Sequence, residues 1–284
     1  MQYTIENNAL SISVESHGAQ IKSVKVDGKE RAWQNENGAW KDTSPLLFPI
    51  CGHFGVTVDG KTYPMPAHGL ANKNEFTLVN KTQSALTLVF SSNENTKTAY
   101  PFDFKFFVTY EIADKKLTVK YTVQNMGKTP LYFACGGHDS FALAKDVDKY
   151  QLVFEKAETL VHYAHDDGGY LTGDTTCYGE NTRSLILPKG FLSEGRTLIF
   201  KGVQSRKVSL QTLTGETLAT LTFEGFENLL LWRATADSRY ICIEPWTNLP
   251  DYANAEEQEL SQKSGVYAVG VGEEKTLIRE IEYV

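Results

Sequence analysis

Phe104-Lys105-Phe106-Phe107-Val108-Thr109-Tyr110, then Asp114-Lys115-Lys116, then Leu117-Thr118-Val119-Lys120-Tyr121-Thr122-Val123, decide the fold class of this 284-residue chain. Apolar side chains fall largely at alternate positions, the period of a strand with one face buried and one face wet. The polar residues between the two runs turn the second strand back beside the first. The same alternation governs Leu86-Thr87-Leu88-Val89-Phe90 and Thr217-Leu218-Ala219-Thr220-Leu221-Thr222-Phe223, and Asp27-Gly28, Asp59-Gly60 and Thr214-Gly215 supply further hairpin turns. Helical periodicity is scarce. The best candidate runs from Asn254 to Lys263, where Asn254 offers a cap and Glu256, Glu257 and Glu259 follow near the positive helix end. No repeat of fixed period occurs, which disfavours a propeller. The expectation is a single all-β domain over residues 1–284, a large antiparallel β-sandwich of about 20 strands.

Composition narrows the function. Hydrophobic residues at 41% and aromatics at 12% suffice for a large core, and the net charge of −7 comes with no basic stripe, so nucleic acid is not an expected partner. No segment approaches the roughly 20 apolar residues of a membrane helix, and Met1-Gln2-Tyr3-Thr4-Ile5-Glu6 has neither the basic head nor the apolar run of a leader. A cytoplasmic protein without membrane contact is expected. Cysteines 51, 135, 177 and 242 lack metal-ligand spacing, and three lie in apolar runs where free thiols pack.

Chemistry concentrates at strand ends. In Leu131-Tyr132-Phe133-Ala134-Cys135-Gly136-Gly137-His138 an apolar strand runs into two glycines, which permit close approach of another group, and then presents an imidazole. Tyr240-Ile241-Cys242-Ile243-Glu244-Pro245-Trp246 repeats the device with a carboxylate that shares a face with Tyr240 and Cys242, and Pro245 is expected to end the ladder directly after it. Desolvation there raises a carboxylate toward the range of a general base. The alternative is an edge glutamate paired with Arg233 or Arg239. His68 follows two prolines in Pro64-Met65-Pro66-Ala67-His68-Gly69. Taken alone, either histidine reads as a hydrogen-bonded structural residue; with Glu244, the three read as acid/base machinery. Trp246 and Phe141 are expected to face a sugar, and no metal site is expected.

Other patterns carry less. Asp251 fits a turn better than a second glycosidase carboxylate. Gly270-Val271-Gly272 lacks the third glycine of a dinucleotide fingerprint, and His162, His165, Asp166 and Asp167 read as a solvated loop rather than a metal cluster.

Four short motifs in order, Ser44-Pro45-Leu46-Leu47-Phe48-Pro49-Ile50, Met65-Pro66-Ala67-His68-Gly69, Tyr100-Pro101-Phe102 leading to Gly137-His138, and Ile243-Glu244-Pro245-Trp246, resemble the aldose 1-epimerase (galactose mutarotase) superfamily and, within it, the LacX-like group. The resemblance implies a β-supersandwich whose cleft holds a small-molecule aldose, with anomers interconverted through the open-chain aldehyde and no cofactor. It further implies Glu244 as base, His138 as acid and His68 as a hydrogen-bonding catalytic neighbour. The group usually carries arginine at the positions of His53 and Asn72, taken here as substrate-binding positions, and proline at that of Asp139. A monomer or weak homodimer is expected. A carbohydrate-binding or sugar-sensing protein on the same fold is the alternative, and a phosphosugar epimerase would require clustered Arg or Lys at the cleft mouth.

Overall fold

A computed structural model describes residues 1–284. Strands take 51% of them and helices 6%, and strand pairing is antiparallel throughout the two largest sheets, so the all-β expectation holds. There are 23 strands. The decisive stretch forms the hairpin Phe104–Ala113 and Lys116–Asn125, in which Ala113 faces Lys116 across a two-residue turn and Asp114 takes a positive φ of 51°. Burial alternates residue by residue along both strands, as the sequence pattern requires. Asp27-Gly28 and Asp59-Gly60 form tight turns with both residues at positive φ.

One 15-stranded sheet carries most of the chain. At one end lie Thr77–Lys81, Ala85–Ser91 and the decisive hairpin; Glu274–Tyr283 joins that hairpin to the middle; at the other end lie Asn228–Trp232, Tyr240–Trp246, Gly136–Gly137 and Leu46–Leu47. A four-stranded sheet from Gln2 to Glu30 adds a further layer. A core of 63 buried residues draws on both ends of the large sheet and on the small one. Phe48, just after the last short strand, stacks on Phe106 of the decisive hairpin with ring centroids 4.2 Å apart, so the sheet's ends meet across the interior.

Two local expectations fail. Residues 254–263 form no α-helix, only the short 3₁₀ turn Leu260–Gln262. Their carboxylates serve another segment: Glu259 accepts the backbone N–H groups of Asp59 and Gly60, and Glu257 accepts the Thr62 hydroxyl. The ladder also continues past Pro245. Leu229 pairs with Pro245, and Trp246 pairs with Asn228 on one side and Gly136 on the other. The ladder is interrupted instead on the side facing His138, between Gly136–Gly137 and Asp139–Ala142.

Candidate active site

That interruption builds the site. Gly136 pairs with Trp246 and Asp139 pairs with Ile243, so counting inward from either pair sets His138 directly across from Glu244. His138 Nε2 and Glu244 Oε2 lie 3.3 Å apart, with the histidine side chain 12% exposed and the glutamate 1%. The two glycines before His138 are required by packing. A Cβ on Gly136 would stand 2.7 Å from the Trp246 ring, and one on Gly137 would stand 2.7 Å from Arg279 Nε. Along Tyr240–Trp246, Ile241 and Ile243 enter the main core, while Tyr240, Cys242, Glu244 and Trp246 take the other face.

Glu244 has neither arginine as partner. Arg233 is buried and bonds Asp146 and Ser193 instead. Burial drives the Glu244 carboxyl well above its usual range, and the negative charge of Asp139 adds to this. Burial and the neighbouring His68 pull His138 down to about 3. Cys242 Sγ lies within 4.8 Å of ligand atoms on both residues, and burial keeps its thiol protonated. A cation there would have to displace protons that burial retains.

His68 enters from a third segment, at a positive φ of 64°. The following Gly69 cannot be replaced, since a Cβ there would lie 2.3 Å from the Phe48 carbonyl oxygen. The Gly52 N–H donates to His68 Nδ1 at 3.2 Å. Burial lowers His68 to about 4, so the ring is neutral at pH 7 and its remaining proton sits on Nε2. His68 therefore offers a neutral N–H donor.

A cleft of about 370 Å³ opens onto His138, Glu244, His68, Asn72 and Trp246. Its remaining lining includes Trp40, Trp232, Asp42 and Thr197 and contains no Lys or Arg. Trp40 lies against the His138 ring at 5.1 Å and Trp232 meets it edge-on at 5.5 Å. Eight buried side-chain polar atoms lack a hydrogen-bond partner, and five of them line this cleft: Asn72 Oδ1, His138 Nδ1, both Glu244 oxygens and Trp246 Nε1. Unpaired polar atoms are costly when buried, so their convergence marks a place built for a polar ligand.

The other expected site residues divide. Asn72 lies in the cleft, and His53 lies in an adjoining chamber, its ring 5.1 Å from Tyr170. Phe141 is in the core, 3% exposed and packed on Tyr283, and is not sugar-facing. It stands three residues from His138, and period-two counting puts it on the opposite face. Asp251 is tied to Lys263 at 2.6 Å and accepts the Gly55 N–H, so it braces two distant segments rather than a local turn. His162 and His165 correct the solvated-loop reading. Both lie on the strand Tyr150–His165 and accept backbone N–H groups, from Ile199 and Thr197 respectively. Cys51, Cys135 and Cys242 are buried free thiols, as expected, and Cys177 is exposed.

Trp40, Trp232, Asp42 and Thr197 were not legible as site residues. Trp232 alone carried a signal, because it ends the strand that pairs with Tyr240–Trp246, opposite Cys242.

Known proteins resemble this chain in sequence and fold over most of its length. LacX from Lactococcus lactis subsp. lactis is 28% identical over 268 residues, 88% of each chain. A galactose mutarotase-like protein from Lactobacillus casei superposes with a TM-score of 0.91 at 28% identity over all of both chains. A galactose mutarotase related enzyme from Lactobacillus acidophilus superposes at 0.89 and 27%, covering 100% of this chain and 97% of its own. The pattern of the aldose 1-epimerase family matches residues 1–267, and this chain belongs to that family.

Proposed function

We propose that the protein interconverts the α and β anomers of an aldose by acid/base ring opening, with Glu244 and His138 as the proton-transfer groups. The observation that carries the reading is the His138–Glu244 pair itself, 3.3 Å apart, buried, with neither carboxylate oxygen hydrogen-bonded, at the wall of a polar cleft.

Between them the two groups hold one mobile proton, as carboxylic acid plus imidazole or as carboxylate plus imidazolium. Burial favours the uncharged arrangement in the empty site, since it raises Glu244 and lowers His138. A bound sugar's hydroxyls supply the hydrogen bonds the carboxylate lacks and bring the charged arrangement within reach. The Glu244 carboxylate then takes the proton of the anomeric hydroxyl. The O1 lone pair forms the C1=O1 double bond, the C1–O5 bond breaks onto O5, and imidazolium His138 protonates O5. The products are an open-chain aldehyde, a carboxylic acid and a neutral imidazole, the uncharged pair that burial favours. Rotation about C1–C2 and reversal of both transfers close the other anomer.

Around this centre the His68 N–H donates to a sugar oxygen and Asn72 Oδ1 accepts a hydroxyl. Trp40, Trp232 and Trp246 offer flat apolar faces to the ring's C–H surface. A phosphosugar is disfavoured by a cleft with no cation and with Asp42 in its wall. A binding protein without turnover is the second reading, favoured by His53 and Asn72 standing where the LacX-like group usually has arginine. Freshly dissolved α-D-glucose and α-D-galactose, followed by polarimetry with wild type and Glu244→Gln, separate the two. Acceleration that the substitution abolishes supports the epimerase; sugar binding without acceleration in the wild type supports the binder.

A further inference from the structure

One buried nucleophile beside the His138–Glu244 pair takes no part in the proton transfers. Cys242 stands two residues before Glu244 on the same strand and therefore on the same face, fully buried. Its Sγ and one ligand atom each of His138 and Glu244 all lie within 4.8 Å of one another. Nitrogen, sulfur and oxygen thus converge, the three donor types that hold zinc.

The spacing suits a tetrahedral ion. Two ligands at about 2.0 Å from zinc and at tetrahedral angles stand about 3.3 Å apart, and His138 Nε2 and Glu244 Oε2 are 3.3 Å apart. A thiolate at about 2.3 Å from the same ion stands about 3.5 Å from each of them, so Cys242 Sγ has to close by about 1.3 Å at most. Both Glu244 oxygens lack a hydrogen-bond partner, so the carboxylate gives up no bond to receive an ion. His138 and Glu244 form part of the cleft wall, while Cys242 packs behind them with Trp33 and Tyr240. The cleft supplies the entry path and the fourth coordination position.

Charge balance meets the cost of burial. As thiol, carboxylic acid and neutral imidazole the trio is uncharged, which is the arrangement burial favours. A dication that displaces the thiol and carboxyl protons, both released to solvent, leaves the trio uncharged again, two positive charges meeting one thiolate and one carboxylate. Nε2 gives its lone pair, and the imidazole keeps its proton on Nδ1. Hard cations fit poorly, because Mg²⁺ and Ca²⁺ call for six or more oxygen ligands and the trio offers one carboxylate.

We infer that His138, Cys242 and Glu244 form a binding site for a thiophilic divalent cation of the zinc type, which takes both proton-transfer groups out of use while it is bound. The binding is independent of the sugar reaction; its effect on turnover rests on the epimerase reading above.

Titration of the wild-type protein with Co²⁺, a spectroscopic substitute for Zn²⁺, tests the inference, because a thiolate bound to cobalt gives a near-ultraviolet charge-transfer band. The expected result is that band at one ion per chain, bleached by equimolar Zn²⁺ and unchanged by excess Mg²⁺. Cys242→Ser should abolish the band, Glu244→Gln should weaken Co²⁺ binding at least about tenfold, and Cys177→Ser, which removes the exposed thiol, should leave both band and affinity as they are. No band in the wild type, a band that persists in Cys242→Ser, or one lost in Cys177→Ser would each overturn it. If Cys242→Ser does not fold, Glu244→Gln decides, since an affinity equal to wild type there also overturns the site. Turnover is read separately, as each protein's mutarotation rate with Zn²⁺ over its rate without. A wild-type rate that saturating Zn²⁺ leaves unchanged sinks the inference and keeps the epimerase, whereas the full cobalt band in a protein without mutarotation keeps the metal site and sinks the epimerase.

Discussion

Two buried carboxylates stand near each other on opposite faces of the same strand pair, and they have opposite fates. Glu244 meets His138 in the cleft, with both oxygens lacking hydrogen bonds. Asp139, directly after His138, points into the core, where it pairs with Arg279 and accepts the Ser44 hydroxyl. Arg279 is braced in turn by the Tyr121 hydroxyl at 2.8 Å, leaving only Nη2 unpartnered. Burial works against the Arg279 charge, but Asp139 and Tyr121 more than restore it, so its pKa is raised. A guanidinium does not release its proton, so Asp139–Arg279 is a fixed ion pair. An imidazole does, so Glu244–His138 is a movable-proton pair. The difference between scaffold and proposed reactive centre lies in the partner's basicity and in how many hydrogen bonds are left open.

Exchanging the chemistry at each pair should produce opposite phenotypes. Glu244→Gln removes the proton acceptor and is expected to lower the mutarotation rate by about 10²–10⁴-fold, with thermal stability at pH 7 held or raised, because the amide is neutral folded and unfolded whereas burial of the raised carboxyl costs proton uptake. A variant as active as wild type would remove Glu244 from the chemistry. Asp139→Asn should instead strand the buried Arg279 charge and cost about 3–5 kcal/mol of folding stability in urea titration. Replacing both partners, as Asp139→Leu with Arg279→Met, should recover most of that loss; no recovery would mean that Asp139 matters for reasons other than this ion pair.

Titration sharpens the contrast further. His138 and His68 are held at about 3 and about 4 when folded, against 6.5 when free. Between the folded and free values the unfolded chain binds more protons, so these groups make stability rise with pH from about 4 to 6.5 and contribute no slope above it. Each contributes up to about 1.4 kcal/mol per pH unit in that window. Glu244, raised by burial, acts in the opposite sense: its contribution is full below the free carboxyl value and is lost as pH rises toward the folded one. Urea midpoints from pH 4 to 7 for wild type and His68→Gln measure this, the variant showing the shallower rise. The acid limb of kcat/KM should likewise fall well below 6.5, and a limb near 6.5 would contradict the burial of His138. The smallest effect is expected for Trp40→Ala. Loss of its contact with His138 and of a stacking face should raise KM by about 3–10-fold, in line with the ~0.5–1.5 kcal/mol typical of aromatic pairs.

The sequence by itself determined the strands, most of their turns and the trio proposed for the chemistry. Period-two alternation is local, Asp-Gly turns carry their own φ requirements, and His138, Glu244 and His68 are flagged by the glycine, proline and apolar neighbours beside them in the chain. Period-two counting from His138 also placed Phe141 on the core face, a reading the residues permitted and the sugar-facing expectation overlooked. Only the tertiary structure decided what depends on distant partners. Glu257 and Glu259 left a helical pattern to bond a turn about 200 residues away, and Trp40, Asp42, Asn72 and Thr197 became neighbours of one cleft from three separate segments. The register across the broken ladder set His138 against Glu244, and the same register turned Asp139 toward Arg279. Side-chain types and local periodicity are written along the chain, whereas burial, pairing and proton affinity depend on which strands the fold brings together.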